Sequence, residues 1–267
     1  TELFANFDLK VQFLVMNSTV EEIEHISESA VSATNCATWG SYLGNGLEEL
    51  YGVPYVHGIN PFGITGFESW LREICKAVGK SEECEKYIAR QRSIYMPQFE
   101  KLKEQLTGLK CVIGMGSGFA FEIARALKEF GMEVQQMVAW HHDTKLDDGK
   151  IPAYLEYLDK TQPETPVTIT PIQNYHTMNI LNQYKPDIYV SRHPGLTVWA
   201  GKQGIPSIFF GDEYRLFGYK ETIKFGKNIL DSIRNRALEE NLAAHCHMPY
   251  TSWWYNQKDD TFMTPDY

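Results

Sequence analysis

The chain has 267 residues, of which 43% are hydrophobic and 13% aromatic, so it can fill the cores of two compact domains. Its formal net charge is −9, and no run of basic residues offsets this charge. An acidic surface repels phosphate groups, which argues against nucleic acid and an anionic membrane as partners. No uninterrupted apolar stretch approaches the roughly 20 residues that a membrane-spanning helix requires.

The five cysteines are far apart in sequence and include no C-x-x-C pair; they are Cys36, Cys75, Cys84, Cys111 and Cys246. This pattern is typical of free thiols or metal ligands in a reducing compartment, and we expect a cytoplasmic protein. A cluster held only by cysteines of this chain is not expected. The N-terminus lacks the profile of a signal peptide, and we expect the chain to be a piece of a longer one.

The first part of the chain predicts an α/β module followed by a long helical connection. A short apolar run, Lys10–Met16, predicts a buried strand. Leucines at helical spacing predict a helix over Trp39–Tyr51, which ends at Gly52. Val53–Val56 predicts a second strand, and residues 64–107 are predicted to be mostly helical.

The second part repeats this alternation more plainly. Strands are predicted at 110–114, 132–140, 186–191 and 204–210, and helices at 119–130, 175–184 and 196–203. Strands that alternate with helices in this way predict right-handed crossovers and a parallel sheet. Residues 216–248 are predicted to be helical. The aromatic tail Tyr250–Tyr255 is expected to pack on another domain or a partner, or alternatively on its own helix.

We therefore predict an α/β fold with two sequential Rossmann-like parallel-sheet domains that carry helices on both faces. The expected units are a first module with its helical connection, a second module, and a C-terminal helical segment with the aromatic tail, at residues 1–107, 108–215 and 216–267. A sequence pattern that occurs in both modules supports this division. Both Leu50–Val56 and Lys202–Ile208 end a helix at Gly and begin a strand after Pro.

Ligands of open parallel sheets bind beyond the carboxyl ends of the strands. Gly116, Ser117 and Gly118 form such a turn in the second module, where N–H groups at the start of a helix suit an anion. The turn departs from G-x-G-x-x-G, so a purely structural tight turn is the alternative to nucleotide binding.

Two further strand ends carry side chains that suit ligand binding. His141 and His142 follow one strand, and either imidazole could bind a metal or move protons. Arg192 and His193 follow another and could hold an acidic group of a ligand. For Arg192 an ion pair between domains is the alternative.

Two other polar groups are interpreted as structural. Asp212 and Glu213 are expected to cap the helix after the last strand, although carboxylates there could also serve as a base or a ligand. The triplet His245–His247 lies at a helix end, where alternate side chains need not converge. We expect it to be structural rather than a metal site.

The stretch from Cys36 to Tyr55, CATWGSYLGNGLEELYGVPY, resembles the segment of nitrogenase component 1 α subunits that carries the cofactor cysteine. Asn60–Gly63 is similar to the Asn-Phe-Phe-Gly loop of that family. Strand starts of the family's third domain are similar, in the same order, to Phe130–Val134, Lys185–Ile188 and Gly204–Pro206.

This resemblance implies an iron–sulfur-based metallocluster, a homologous β-type component 1 subunit as partner, and electrons from an ATP-dependent iron-protein reductase. Cys36 would be a thiolate ligand to an iron of the cluster, with a small buried apolar cysteine as the alternative. The cofactor cleft would be lined by Gly116, Ser117, Gly118, His141, His142, Arg192 and His193.

Three departures argue against the standard nitrogen-reducing cofactor. The family's second ligand, a histidine, falls at Gly211, and its lysine falls at Gly195. Its basic Gly-Gly-Leu-Arg loop is replaced by Gly116–Phe119, which has no positive charge. A highly anionic cofactor would therefore lose one ligand and two compensating cations.

These observations predict a nitrogenase-like oxidoreductase subunit that is not a standard nitrogen fixer, and the fragment alone is expected to be inactive. One alternative is a non-catalytic scaffold that holds a cofactor precursor during assembly and tolerates the missing ligand. Another is a two-lobed module that binds a small molecule, in which Cys36 is inert packing. Whether the chain is part of an enzyme stays open among these three.

Overall fold

A computed structural model describes residues 2–15, 17–140, 153–161, 164–169, 174–211 and 216–256. Its helices are α1 (Glu2–Ala5), α2 (Val20–Glu24), α3 (Ala37–Tyr51), α4 (Gly63–Ala77), α5 (Ser81–Leu106), α6 (Ser117–Glu129), α7 (Ala153–Thr161), α8 (Asn174–Tyr184), α9 (Pro194–Lys202), α10 (Gly218–Arg234), α11 (Ala237–His245) and α12 (Ser252–Tyr255). Its strands are β1 (Lys110–Met115), β2 (Glu133–Ala139), β3 (Val167–Ile169), β4 (Ile188–Ser191) and β5 (Ser207–Phe209). They form one parallel sheet in the order β3-β2-β1-β4-β5. The predicted α/β class and the parallel sheet of the second part are confirmed.

The sheet is apolar on both faces because helices cover both. In the central strand β1, Cys111, Ile113 and Met115 are fully buried in one core, and Val112 is fully buried in the other. The first core is completed by α4, α5, α6 and α10, and the second by α8 and α9. This arrangement explains why the strands read as continuous apolar runs rather than as alternating patterns.

The helices α4, α5 and α10 are joined by a buried carboxylate. Glu68 of α4 is 3% exposed and accepts hydrogen bonds from Arg92 of α5 at 2.7 Å and from Tyr219 of α10 at 2.5 Å. A buried carboxylate is tolerated only when it is paired in this way. The helices before and after the sheet therefore form one layer.

The predicted boundary near Gly108 lies in the turn between α5 and β1. Gly108 has a φ of 80°, and its N–H donates to the carbonyl of Gly131 at 2.9 Å. Helices α4 and α5, before this turn, pack on α6 and α10, after it. The division into units at 1–107, 108–215 and 216–267 stays a prediction.

The first part of the chain contains less sheet than predicted. The strand predicted at Lys10–Met16 is wrong for residues 11–15, which pair with no strand among the described residues and leave Phe13 61% exposed. The strand predicted at Val53–Val56 is reduced to one parallel bridge between Ser32 and Tyr55. An apolar run becomes a strand only where a neighbouring strand forms hydrogen bonds with its backbone. Among the described residues of these two predicted strands, such pairing is limited to the bridge at Tyr55.

In both copies of the repeated pattern, Leu50–Val56 and Lys202–Ile208, a glycine ends or follows the helix as predicted. Helix α3 ends at Gly52 with a φ of 70°, and α9 is followed by Gly204 with a φ of 76°. Only glycine adopts this left-handed conformation without steric cost. The elements α1, α7 and β3 were not predicted.

The aromatic tail packs on helices of its own chain. The ring of Tyr250 lies 6.2 Å from that of Trp199 in α9, and Trp254 lies 5.2 Å from Tyr175 in α8. Both helices lie within residues 108–215, outside the helical segment 216–248 that precedes the tail, so the alternative of packing on its own helix is not the one observed. Throughout the described residues, no helix combines the length and the apolar character needed to cross a membrane.

Candidate functional site

The carboxyl edge of the sheet contains a topological switch point. Helices α6 and α7, which connect β1 to β2 and β2 to β3, cover one face of the sheet. Helices α8 and α9, which lead to β4 and β5, cover the other face. The strand order therefore runs in opposite directions from β1 and from β4. Ligands of open α/β sheets bind at such a point. Gly116 follows β1 and Arg192 follows β4, so these predicted residues stand on either side of the switch.

The turn after β1 leads directly into a helix. Gly116 is the N-cap of α6, and its carbonyl accepts the N–H groups of Phe119 at 3.1 Å and of Ala120 at 2.9 Å. Ser117 and Gly118 are buried in the first turn. Their amides belong to the positive end of the helix dipole, which suits an anion.

Gly114, the first glycine of the stretch Gly114–Gly118 that departs from G-x-G-x-x-G, has a packing role. A β-carbon on Gly114 would come 2.2 Å from the hydroxyl oxygen of Tyr189, a fully buried residue of the neighbouring strand β4. Glycine at position 114 is therefore explained by contact between strands. This supports the structural interpretation of the motif over nucleotide binding.

Arg192 places a cation beside the start of α6. Its guanidinium carbon lies 4.6 Å from the centre of the Phe119 ring, and its backbone N–H donates to the carbonyl of Gly114 at 3.3 Å. A guanidinium at this distance from a ring is held by a cation–π interaction. The structure thus brings Arg192 next to the turn that contains Gly116, Ser117 and Gly118.

His193 is the N-cap of α9. Its Nδ1 accepts the N–H of Leu196 at 3.3 Å, and its own N–H donates to the hydroxyl of the buried Ser191 at 3.0 Å. Its ring lies edge-on to Trp140, with 5.9 Å between ring centres. Because Nδ1 accepts a hydrogen bond, the neutral ring carries its proton on Nε2. His193 therefore suits donation to an anion better than metal ligation.

A loop from the first part of the chain packs on the same edge. Phe62 lies 5.4 Å from Phe119, 6.4 Å from Phe210 and 5.7 Å from Phe217, measured between ring centres. Phe62 also forms an antiparallel bridge with Phe217. The segment Asn60–Gly63 therefore closes one side of the candidate site with aromatic rings.

Cys36 lies at the N-terminus of α3 and is 8% exposed. Its backbone N–H donates to the Thr34 hydroxyl at 3.1 Å, and that hydroxyl donates back to the Cys36 carbonyl at 3.1 Å. Burial, together with the charge of the Cys36 thiolate, raises the pKa of Tyr55 to about 12. Cys36 is thus fixed by Thr34 and has Tyr55 as a neighbour.

Metal-ligand donors do not converge within the described residues. No group of three or more His, Cys, Asp or Glu side chains there is placed to hold a metal ion. In the triplet His245–His247, the Nδ1 of His245 contacts the carbonyl of Asn241 at 2.8 Å, and the structural role of the triplet stays a prediction. His141, His142, Asp212 and Glu213 lie outside the described residues.

Several residues at the site were not predicted. Thr34 and Tyr55 gave no signal, because their roles depend on the close packing of segments around Cys36. Glu122, Arg125 and Glu129 did give one, since their charges at i, i+3 and i+7 fall within the mostly apolar stretch of helix α6. All three contact the loop that contains Phe62.

A family model described as nitrogenase component 1 type oxidoreductase matches residues 1–234. The chain belongs to this family. It is 28% identical over 189 residues to a nitrogenase molybdenum-iron protein alpha chain of Methanothermobacter marburgensis, a match that covers 70% of this chain and 38% of the relative. It is 22% identical over 222 residues to the nitrogenase iron-molybdenum cofactor biosynthesis protein NifE of Clostridium pasteurianum, which covers 81% of this chain and 46% of the relative.

The fold agrees with the family. A solved structure called Nitrogenase Cp1 at pH 5 superposes with a TM-score of 0.71 at 19% identity, over 94% of this chain and 55% of that chain. The chain thus spans about half or less of the length of these relatives. The resemblance inferred from Cys36–Tyr55 and the later strand starts is confirmed.

Proposed function

We propose that this chain is the part of a nitrogenase-like component 1 subunit that binds an iron–sulfur-based metallocluster, with Cys36 as a thiolate ligand. The observation that carries this proposal is the position of Cys36, buried at the N-terminus of α3 within the segment that resembles the family's cofactor cysteine. A thiolate at a helix N-terminus is stabilised by the helix dipole and is a good ligand for iron.

The donor set of the described residues fits one protein bond to such a cluster. Cys36 would hold an iron, and when bound the cluster would supply redox chemistry. The start of α6, the guanidinium of Arg192 and the Nε2–H of His193 would donate to anionic groups of the cofactor. His141 and His142 follow β2 in sequence, and we propose them as further residues of the cleft.

The position of Arg192 supports an anionic ligand. The sequence replaces the basic loop of the family by Gly116–Phe119, which has no charge. In the folded chain, however, the Arg192 guanidinium lies on the ring of Phe119 and so returns a cation to this turn. The histidine ligand of the family remains replaced by Gly211, so we propose a cofactor or substrate other than that of standard nitrogen fixation.

The proposed partners follow from membership of the family. They are a homologous β-type component 1 subunit and an ATP-dependent iron-protein reductase that supplies electrons. Iron–sulfur chemistry requires free thiols, which supports the expectation of a cytoplasmic protein. These partners and this location belong to the whole protein that contains the chain.

The first test is analysis of iron and acid-labile sulfide in the anaerobically purified protein. We expect iron and sulfide in a fixed proportion, with both lowered by Cys36→Ala. The matched control is Cys246→Ala, which removes the partly exposed thiol at the end of α11 and should leave the metal content unchanged. Equal metal contents in the wild type and Cys36→Ala after attempted reconstitution would refute the proposal.

A second candidate function is a scaffold for cluster assembly. It is supported by the similarity of the chain to a cofactor biosynthesis protein of Clostridium pasteurianum. Transfer of a bound cluster to an acceptor protein would favour the scaffold, whereas substrate turnover with the reductase would exclude it.

A further inference from the structure

Helix α6 buries three charged residues in an otherwise apolar environment. Glu122 is 1% exposed and Arg125 is 3% exposed, and the side chain of Glu129 is 15% exposed. Removal of charges from water is unfavourable unless each finds partners with good geometry. The guanidinium of Arg125 lies 2.5 Å from a carboxylate oxygen of Glu122 and 3.0 Å from one of Glu129. Glu122, Arg125 and Glu129 thus form a single buried group.

This group holds the backbone of the loop Asn60–Thr65. Glu122 accepts the N–H of Asn60 at 2.8 Å, and Glu129 accepts the N–H of Ile64 at 2.8 Å. Arg125 donates to the carbonyl of Phe62 at 2.7 Å and to that of Asn60 at 3.3 Å. Donors and acceptors of one loop are therefore bound by residues more than 60 positions away in sequence.

The loop fits closely against the group. A β-carbon on Gly66 would come 2.3 Å from the Nη2 atom of Arg125, and Gly63 has a φ of 69°. Larger residues at either position would displace the loop or strain its backbone. The glycines and the charges together specify one position of this loop.

The loop in turn contacts the candidate site. Phe62 packs on Phe119, and Phe119 carries the guanidinium of Arg192 on its ring. On the other side, the loop continues from Tyr55, which bridges Ser32 and packs on Gly44 of α3, the helix that Cys36 begins. The loop thus contacts the edge at Arg192 and is joined through residues 56–59 to the segment that packs beside α3.

We propose that Arg125, with Glu122 and Glu129, is a clamp that positions the loop Asn60–Thr65 and thereby aligns the Cys36 segment with the anion-binding edge at Arg192. This inference rests on the proposed function, and it adds three positioning residues that contact neither the cluster nor its substrate. Neutral residues of similar size could fill the same space, so the charges serve specificity rather than packing.

The test replaces the charges by neutral side chains of similar size, in Glu122→Gln, Arg125→Met and Glu129→Gln together. We expect the chain to fold and the amides of Asn60, Ile64 and Thr65 to exchange hydrogen about tenfold faster, as for the loss of one hydrogen bond. Amides of β1 and β4 should be unchanged. The matched control is Glu156→Gln with Lys160→Met, which removes an exposed ion pair of α7.

Iron retention provides the readout that a purely structural role would not change. We expect the triple variant to lose bound iron faster than the wild type at equal thermal stability, and Arg125→Lys, which keeps the charge but not the forked geometry, to do the same. If the triple variant does not fold, Glu122→Gln alone should accelerate exchange at Asn60 only.

The outcomes separate this inference from the proposed function. Unchanged exchange at the loop would overturn the clamp, and so would faster exchange with unchanged iron retention. A wild-type protein that binds no iron would refute the proposed function instead. In that case Arg125, Glu122 and Glu129 could not align a cluster site either. The hydrogen-exchange rates would still show whether these charges hold the loop Asn60–Thr65.

Discussion

The ring of Tyr55 lies against Gly44, so close that a β-carbon on residue 44 would come 2.4 Å from the ring. Gly44 lies about two helical turns after Cys36, the N-cap of α3. Glycine in a helix interior is unfavourable, and its presence here is explained by the approach of the segment that follows α3.

This contact predicts opposite effects for two glycines of α3. Gly44→Ala should destabilise the fold by about 1–3 kcal/mol, because Tyr55 is buried and has no space to move away. Gly46→Ala should stabilise it by up to about 1 kcal/mol, since a β-carbon at position 46 meets nothing within 4 Å. Urea unfolding of both variants measures the difference. A loss of stability in both would show that helix propensity is not the deciding factor.

The buried Glu68 predicts a graded series of stabilities. Tyr219→Phe should lower the free energy of unfolding by roughly 1.5 kcal/mol, because it removes a hydrogen bond to a buried carboxylate. Glu85→Gln, which removes an exposed partner of Arg72, should cost less than about 1 kcal/mol. Denaturant unfolding compares the two variants. Equal effects would mean that burial of Glu68 does not strengthen its contacts.

The pH dependence of stability should reveal the buried carboxyls of α6. Burial raises the pKa of Glu122 despite the opposing charge of Arg125. A carboxyl with a higher pKa in the folded than in the unfolded protein contributes stability below its unfolded pKa and loses that contribution as the pH rises through the folded pKa. The wild type should therefore lose stability relative to Glu122→Gln as the pH rises over the range above the ordinary pKa of a glutamate, about 4.3. Parallel unfolding profiles of the two proteins over this range would contradict the shift.

The contact between Gly114 and Tyr189 predicts a rescue. Gly114→Ala should destabilise the sheet by about 1–3 kcal/mol, because the new methyl group overlaps the buried hydroxyl of Tyr189. Tyr189→Phe removes that oxygen, so the double variant should recover part of the loss. A double-mutant cycle from thermal or urea unfolding gives the coupling energy, expected to exceed about 0.5 kcal/mol. Additive effects would place the strain elsewhere.

Arg192 should matter for the bound ligand rather than for stability. We expect Arg192→Gln to retain the metallocluster about tenfold less tightly, because it removes the cation beside the start of α6. Arg90→Gln is the matched control, since Arg90 makes a similar contact with the ring of Tyr87 at 5.6 Å. Iron content after dialysis against a chelator measures retention. Equal retention in the two variants would remove Arg192 from the proposed site.

The second part of the fold was predictable because its signals are local. Lys110–Gly114 and Pro186–Ser191 are short apolar runs bounded by turn residues, and β1 and β4 lie within a residue or two of them. Lys10–Met16 gave the same signal and is not a strand over its described residues. A run of apolar residues shows that these side chains prefer burial. It does not show whether a neighbouring strand is present to pair with the backbone.

The candidate site was predictable only in part. Strand ends point to a ligand edge in any open parallel sheet, which is why Gly116, Arg192 and His193 were predicted as site residues. The cation–π contact of Arg192 with Phe119 and the clamp on the loop could not be read from sequence. Both join residues that are more than 60 positions apart in sequence. The residue types involved are common in proteins, so nothing in the sequence shows that they are in contact.

The layer made by α4, α5 and α10 has a consequence for synthesis of the chain. Helix α10 follows the last strand but packs on α5, which precedes the first. During translation the five strands therefore emerge before one of their faces can be completed. A nascent chain that has emerged only as far as residue 217 exposes apolar surface around Phe210 and Leu216 until residue 234 has left the ribosome. Such an intermediate is a natural client of chaperones, and a truncation before Gly218 would leave a sheet that aggregates rather than folds.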